Sequence, residues 1–575
     1  MKNFKILWNF FSKKDKFRFN LLIFFFIIQS LLEVIGIASV IPFITVIFNP
    51  ESLSSITFLD GYANYFLKFK NNLIEIFCVI FLGIFILKNL SLIWINKFKN
   101  NFVNYFKAEL SKKILLKYFK QDFLFFSKNK QGKLATVINE ESKNLTTNYL
   151  DSIIILISEV LIISAVLFLI IITGHYKGLV IIIPILLLAS IVLKSINKKV
   201  KYFSYLRVEI AENLATLTQR IFIGIRDVFL SNNGNDLAEK VFIEEKKQAF
   251  IDSQNSTYSL MPKAILEVIG LAVLLVFVIY FEKLGVQKDI IISNLAFYFV
   301  IAYRTIPSYN KILIQYQRIN YAINSLRVVN EVFNMENKRS IESKDNQAID
   351  FKKNLTFKHI SFSYNLSKSL FRNIDLTINK GEIIGICGES GSGKSTLLNL
   401  ITQLIKQDKG DFYLDEKIIT SHENIKGYQD IITFTSQDTF LIEDTIKKNI
   451  LFYPGVKQEN KRLEYAIKFA LVDKFIDDLE GGLNYRVGSH SRRISSGQRQ
   501  RIAIARAIYN AKDILIFDEA TNALDYENEK KIIQNIVELK NKHTVILVSH
   551  EMRNLKECDV VYEIKDNKIK KILND

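Results

Sequence analysis

GEIIGICGESGSGKSTLLNL, residues 381–400, decides the fold. An apolar, β-branched run leads into a loop with three glycines, and a Lys-Ser-Thr triplet then opens a leucine-rich helical pattern. Gly388, Gly391 and Gly393 leave room for backbone N–H groups to wrap phosphates. The whole loop, with Glu389, Ser390, Ser392 and Thr396, reads as the nucleotide cradle. Lys394 reaches β/γ oxygens, and the Ser395 hydroxyl faces Mg²⁺. The helix that starts here adds the positive end of its dipole. A strand, a glycine loop and a helix in that order point to ATP as the bound nucleotide.

Downstream, short β-rich runs alternate with helical ones, which predicts a largely parallel sheet. DILIFDEA (513–520) ends a strand on Asp518 and Glu519. In phosphoryl transfer one acid holds Mg²⁺ and a positioned group orients water, so Asp518 is assigned to the metal and Glu519 to the water as general base. IITFTSQ (431–437) delivers Gln437 at a strand end, as a further metal or water contact. HTVILVSH (543–550) delivers His550 toward the γ-phosphate. Open α/β sheets bind ligands at the carboxyl edge, where these groups gather.

Upstream the chemistry changes. Of 575 residues 49% are hydrophobic and 45 are Phe, yet 23% are charged, so the charge must be unevenly distributed. Six apolar runs, near 20–48, 73–95, 152–173, 177–194, 264–282 and 288–316, are long enough to span a hydrocarbon core of roughly 20 residues. The first twenty residues carry six bases and one acid, which places the N-terminus in the cytoplasm. Much of the net charge of +18 is then membrane topology, and nucleic acid need not be a partner. Cys78, Cys387 and Cys558 are isolated, with no metal or disulfide pattern.

Two charged intervals, 96–151 and 195–263, interrupt the spans on the cytoplasmic side. As helical hairpins their arms would reach roughly 40 Å, with turns near 127–133 and 231–236. The expected architecture is an all-α six-helix transmembrane domain with long cytoplasmic helical extensions (1–334), a linker (335–350), and an α/β P-loop ATPase domain with a helical signature subdomain (351–575).

Taken in order, Tyr364, GESGSGKST, Gln437, ISSGQRQR (494–501), ILIFDEA, NALD and His550 resemble the nucleotide-binding domain of an ABC transporter. Behind six spans, the chain is similar to an exporter-type half-transporter. The resemblance implies an ATP hydrolase that works as a homodimer. It further implies that Tyr364 stacks on adenine and that Ser495, Ser496, Gly497 and Gln498 close on ATP held by a second copy. Asp525 would communicate between the two sites. Two departures stand out. The usual Leu-Ser-Gly-Gly-Gln reads Ile494-Ser495-Ser496-Gly497-Gln498, and Ser489 and His490 occupy a stretch where relatives often carry Glu-Arg-Gly.

Charges at membrane depth usually mark a pathway. Lys88, Lys263 and Arg304 are such charges, with pairing to Glu33, Glu159 or Glu267 as the neutralising alternative. With EVIGIASVIPFI (33–44), YRTIPS (303–308) and an amphipathic external segment at 54–69, they look most like bacterial lipid-linked oligosaccharide flippases. That resemblance implies a multi-pass protein of the bacterial inner membrane whose substrate is a polyprenyl-pyrophosphate glycan. A multidrug, lipid A-type or peptide exporter is the alternative, and an ATP-gated channel or regulatory subunit is the alternative of another class.

Overall fold

The computed structural model describes residues 2–39, 73–172, 179–283, 288–339, 349–364, 369–419, 422–453, 459–487 and 494–572. The external segment 54–69 and the pair Ser489 and His490 lie outside the described residues. The chain forms two compact units, one of residues 1–119 and 126–336, the other of 120–125 and 337–575.

The first unit is helical. A short helix, Lys2–Phe10, precedes Lys13–Ala38. Ser12 starts the second helix by a capping box: its hydroxyl accepts from the Asp15 N–H, and Asp15 accepts from the Ser12 N–H at 3.0 Å. Long helices follow at Leu73–Phe119, Asp151–Ile172, Leu179–Ile223, Gly234–Lys283 and Lys288–Tyr321. At 1.5 Å per residue the 47 residues of Leu73–Phe119 span roughly 70 Å, about 40 Å more than a hydrocarbon core. Among the described residues, Lys13–Ala38, Ile74–Phe119 and Gln131–Ile172 are long and apolar enough to cross a membrane. The turn between the arms of the second cytoplasmic interval sits at Asn232, left-handed with φ 54°.

Several charged groups inside this unit are paired. Lys88 Nζ lies 3.0 Å from Glu33 Oε2, and Lys311 Nζ lies 2.8 Å from Glu159 Oε1. Lys88 is thus ion-paired to Glu33, one of the acids weighed as its neutralising partner, and a buried pair is far less costly than an isolated buried charge. In the charged intervals, Arg207 grips Glu141 with two bonds of 3.2 and 2.9 Å. Glu141 ends a π-helical turn, Val137–Glu141, and a second, Leu145–Leu150, follows closely.

The second unit is α/β. Strands β1 (Asn354–Phe362), β2 (Phe371–Asn379), β4 (Lys409–Leu414) and β5 (Lys417–Ile418) form an antiparallel sheet. The main sheet has the order β12-β11-β3-β10-β9-β6, built from β3 (Ile383–Gly388), β6 (Ile432–Thr435), β9 (Ile514–Asp518), β10 (Thr544–Val548), β11 (Val560–Lys565) and β12 (Lys568–Ile572). A separate pair joins β7 (Asp444–Thr445) to β8 (Arg486–Val487), and in the main sheet only β12 runs antiparallel. Strand alternation splits its side chains between two cores. Leu515, Phe517, Val545 and Leu547 pack with Ile502 and Ile508 of the helix Ser496–Tyr509. Ile514, Ile516, Ile546 and Val548 pack with Leu397 and Leu400 of the helix Lys394–Ile401. Burial on both faces is what a parallel sheet requires, and it explains the near-continuous apolar runs.

The hexapeptide 120–125, just past the helix Leu73–Phe119, groups with this second unit. Leu124 packs against the core around Phe351 and Tyr428. Lys338 and Arg339 both donate backbone N–H bonds to the Lys120 carbonyl, at 2.8 and 3.0 Å. Hydropathy periodicity gives no sign of this grouping.

Candidate functional site: the nucleotide cavity

The main-sheet register pairs Ile386 of β3 with Val548, Val548 with Asp518 of β9, and Phe517 with Thr435 of β6. Four strands thus end in one row. The residues just past them, Gly388, His550, Glu519 and Gln437, line a single cavity of about 910 Å³ together with Tyr364, Glu389, Ser390, Gly391, Gly393, Lys394, Ser395 and Thr396.

The loop after β3 can turn this tightly only with glycine at its corners. Gly388 has φ 151°, and a Cβ there would meet the Ile564 carbonyl and Ser392 Oγ, each at 2.8 Å. Gly393, at φ 108°, caps the following helix. Lys394 Nζ is held by the carbonyls of Gly388 and Glu389 at 2.8 and 3.1 Å, so its ammonium lies folded over the loop. Tyr364, 45% exposed, presents its ring beside the cavity with its hydroxyl 3.3 Å from Thr396 Oγ1. That leaves a ring face free for a flat heterocycle.

Glu519 has φ 48°, a left-handed backbone in a non-glycine residue, held by its N–H donating to the Val548 carbonyl at 3.1 Å. Such conformations cluster at functional sites. Its Oε2 accepts from Gln437 Nε2 at 2.9 Å and from Asn522 Nδ2 at 2.8 Å. Its Oε1 lies 3.9 Å from Lys394 Nζ. Asn522 Nδ2 also lies 3.4 Å from His550 Nδ1. Asp518 is buried, and desolvation, with the neighbouring Glu519 charge, pushes its carboxyl up to about 6 despite the opposing pull of Lys394.

The signature stretch is built as a helix start. Ser495 caps Ser496–Tyr509 by a capping box with Gln498: Ser495 Oγ accepts at 3.1 Å and Gln498 Oε1 accepts from the Ser495 N–H at 2.9 Å. The arginines anchor it inward. Arg499 donates to the Ile494 carbonyl at 3.1 Å, and Arg501 donates to Leu471 at 3.0 Å while stacking on Phe475. Gly497 abuts the turn after Glu519, where a Cβ would meet the Ala523 carbonyl at 2.8 Å. Asp525 caps the helix Tyr526–Val537, accepting from the Asn528 N–H at 3.2 Å.

None of Ser495, Ser496, Gly497, Gln498 and Asp525 is among the residues lining the cavity. Asn522 and Gln500 were not singled out in the sequence. Gln500 Oε1 accepts from the Ala523 N–H at 2.9 Å, fixing the turn that carries Asn522. The position of Asn522, three residues beyond Glu519, was the available signal. Lys263 lies on the helix Gly234–Lys283 and Arg304 on Lys288–Tyr321, with side chains outside the described residues.

Residues 371–522 match the ABC transporter family model. The chain carries an ABC transporter ATPase domain. That domain makes it an ABC-type ATP hydrolase. Its fold agrees with the solved structure of a bacterial Atm1-family ABC exporter with ATP bound, at a TM-score of 0.78 over 96% of this chain and 95% of that one, with 16% identity. Among curated proteins it is 27% identical over 452 residues to the ATP-dependent lipid A-core flippase of Pectobacterium atrosepticum, covering 77% of this chain and 76% of the relative. It is 41% identical over 218 residues to the leukotoxin translocation ATP-binding protein LktB of a Pasteurella haemolytica-like species, a match spanning 37% of this chain and 30% of that relative.

Proposed function

We propose that this chain is one half of a homodimeric, Mg²⁺-dependent ABC exporter of the bacterial inner membrane. It moves an anionic amphipathic lipid, a polyprenyl-pyrophosphate-linked oligosaccharide, from the inner to the outer leaflet. The observation that carries the ATP-driven step is Glu519, fixed through Oε2 by two amide donors. Two donors on one oxygen leave Oε1 to take the proton from an attacking water. Lys394 and the backbone of the glycine loop bind phosphate oxygens, Tyr364 stacks on adenine, and His550 meets the γ-phosphate.

Buried Asp518 beside partly buried Glu519 supplies the carboxylates that suit a divalent cation. Ser395, Gln437 and Asp518 would hold it, and it would neutralise charge on the β and γ oxygens. Ser495, Gly497 and Gln498 act on the nucleotide of a second copy, with Asp525 between the two sites. In support, Phe222, Ile223, Phe229 and Leu230, at the end of the second cytoplasmic arm, are 68–80% exposed. A cluster of that kind calls for a covering surface.

Lys263 and Arg304, at membrane depth in the sequence, support an anionic head group. The similarity to a lipid A-core flippase favours a second reading, a phosphorylated glycolipid. In proteoliposomes, lipid-linked oligosaccharide and lipid A-core are each tested for stimulation of ATP hydrolysis and for flipping, in wild type and in Arg304→Ala. The expected result is stimulation by the polyprenyl substrate and loss of flipping in the variant. Stimulation by lipid A-core alone selects the second reading, and equal flipping by both proteins removes the anionic cavity site.

A further inference from the structure

A second cavity, of about 600 Å³, lies in the membrane unit between the start of the helix Lys13–Ala38 and the helix Leu73–Phe119. It is lined by Lys13, Lys14, Phe17, Arg18, Leu21 and Phe98. We propose that this groove binds one anionic phospholipid of the inner leaflet as a resident, untransported ligand.

Three bases line the cavity and no acid does. Asp15, the carboxylate on the same turn, is buried and consumed by the helix cap, bonding the Ser12 N–H at 3.0 Å and the Ser12 hydroxyl at 2.7 Å. Lys16, on the same turn, lies over the Trp8 ring instead. Lys13, Lys14 and Arg18 are exposed and have no ion-pair or hydrogen-bond partner among the described residues. Three unpaired cations around one hollow suit a phosphate-bearing group.

The other end of the groove is apolar. Phe17, Leu21 and Phe98 form it, and Phe25 wedges between Trp94 and Phe98 with ring centroids at 4.8 and 5.6 Å, holding the two helices together. Beyond it both helices present exposed apolar side chains, Phe24 and Leu31 on one, Leu90 and Leu87 on the other. From Lys13 to Arg18 the bases cover six residues, a rise of roughly 7.5 Å along the helix, which matches the polar layer of one leaflet at about 5–8 Å. A basic end at the cytoplasmic surface with an aromatic slot beneath it complements a two-chain anionic lipid. A soluble anion would use only the first half.

The test uses the full chain in detergent micelles, titrated with phosphatidylglycerol or phosphatidylcholine and read by native mass spectrometry. Each base near an anionic surface contributes about fivefold. Lys13→Gln/Lys14→Gln/Arg18→Gln is therefore expected to weaken phosphatidylglycerol about 100-fold and to leave phosphatidylcholine unchanged. Lys198→Gln/Lys201→Gln removes two exposed bases that lie just past the 177–194 apolar run, away from the groove. It is expected to cost less than about threefold. Equal losses in both variants, or none in the first, overturn the proposal. So does displacement of the lipid by millimolar inorganic phosphate, which would mark a bare anion site. Unchanged thermal midpoints in both variants show that the substitutions leave the fold intact.

Discussion

Asn522→Ala is the most direct probe of how the carboxylate works. The amide donates to Glu519 Oε2 at 2.8 Å and touches no other cavity group except His550 at 3.4 Å. It does not line the cavity itself, so it acts as a positioning residue. A hydrogen bond to a charged group contributes about 1.5–3 kcal/mol. If that geometry matters mainly in the transition state, kcat falls roughly 10–150-fold at unchanged KM for ATP. Gln437 still holds the same oxygen at 2.9 Å, so the loss stays short of that for Glu519→Gln, which removes the base. Asn522→Asp places a second carboxylate against Glu519 and is expected to be worse than alanine. The assay is steady-state ATP hydrolysis in nanodiscs, with nucleotide affinity measured separately by calorimetry. A rise in KM with kcat intact, or an aspartate variant as active as wild type, would refute the positioning argument.

Other outcomes follow from the same kind of reasoning. Glu141 and Arg207 have side chains 1% and 4% exposed. Glu141→Leu strands a buried cation and is expected to lose roughly 3–5 kcal/mol, whereas Glu141→Leu/Arg207→Met should recover most of it in a thermal-aggregation series. Asp518, pushed up to about 6 from the usual carboxylate range, is protonated in the folded protein at a pH where the unfolded chain is charged. In metal-free protein this group therefore favours the fold as pH drops from 6 toward 4 and opposes it above 6. Because the cation needs the charged form, the Mg²⁺ concentration for half-maximal ATPase should rise by up to about tenfold per pH unit below 6. Arg339 Nη2 donates to Gln429 Oε1 at 2.8 Å, and Gln429 donates in turn to the carbonyls of Thr402 and Gln403, at the end of the phosphate-loop helix. Gln429→Ala should leave basal ATP hydrolysis within about twofold yet blunt its stimulation by transported lipid, since a surface bond of this kind contributes only about 0.5–1.5 kcal/mol to stability.

The ATPase half was legible because its chemistry depends on backbone geometry that only a few residues permit. The glycines of the loop, the acids after β9 and the histidine after β10 sit at strand ends, and strand ends can be read from apolar runs. Asn522 and Gln500 escaped because the place of Asn522 beside Glu519, and the Gln500 bond that fixes it, depend on a turn whose path is set by the close approach of Gly497 to Ala523. In the membrane half, periodicity marks which segments are helical but not their mutual rotation. The contact between Lys88 and Glu33, 55 residues apart, needs that rotation, and the same holds for Arg207 reaching Glu141. The grouping of residues 120–125 with the ATPase unit rests on Leu124 and a few backbone bonds to Lys338 and Arg339, too sparse a signal for any sequence pattern.

The residues that line the cavity and those that open the signature helix belong to one chain but not to one cavity. Lys394, Glu519 and His550 line the hollow, while Ser495 and Gln498 spend their polar groups capping a helix outside it. If a two-fold partner supplies the missing wall, each site takes its phosphate loop from one copy and its signature from the other. Lys394→Ala and Ser495→Arg each then disable both sites of a homodimer. In a mixed dimer both lesions fall in the same site, and the other site is wild type. Co-expressed at equal levels, half of the dimers are mixed, so ATP hydrolysis should return to about a quarter of wild type if the sites act independently. Sites contained within single chains would leave every one broken, and an inactive mixture would sink the shared-site reading.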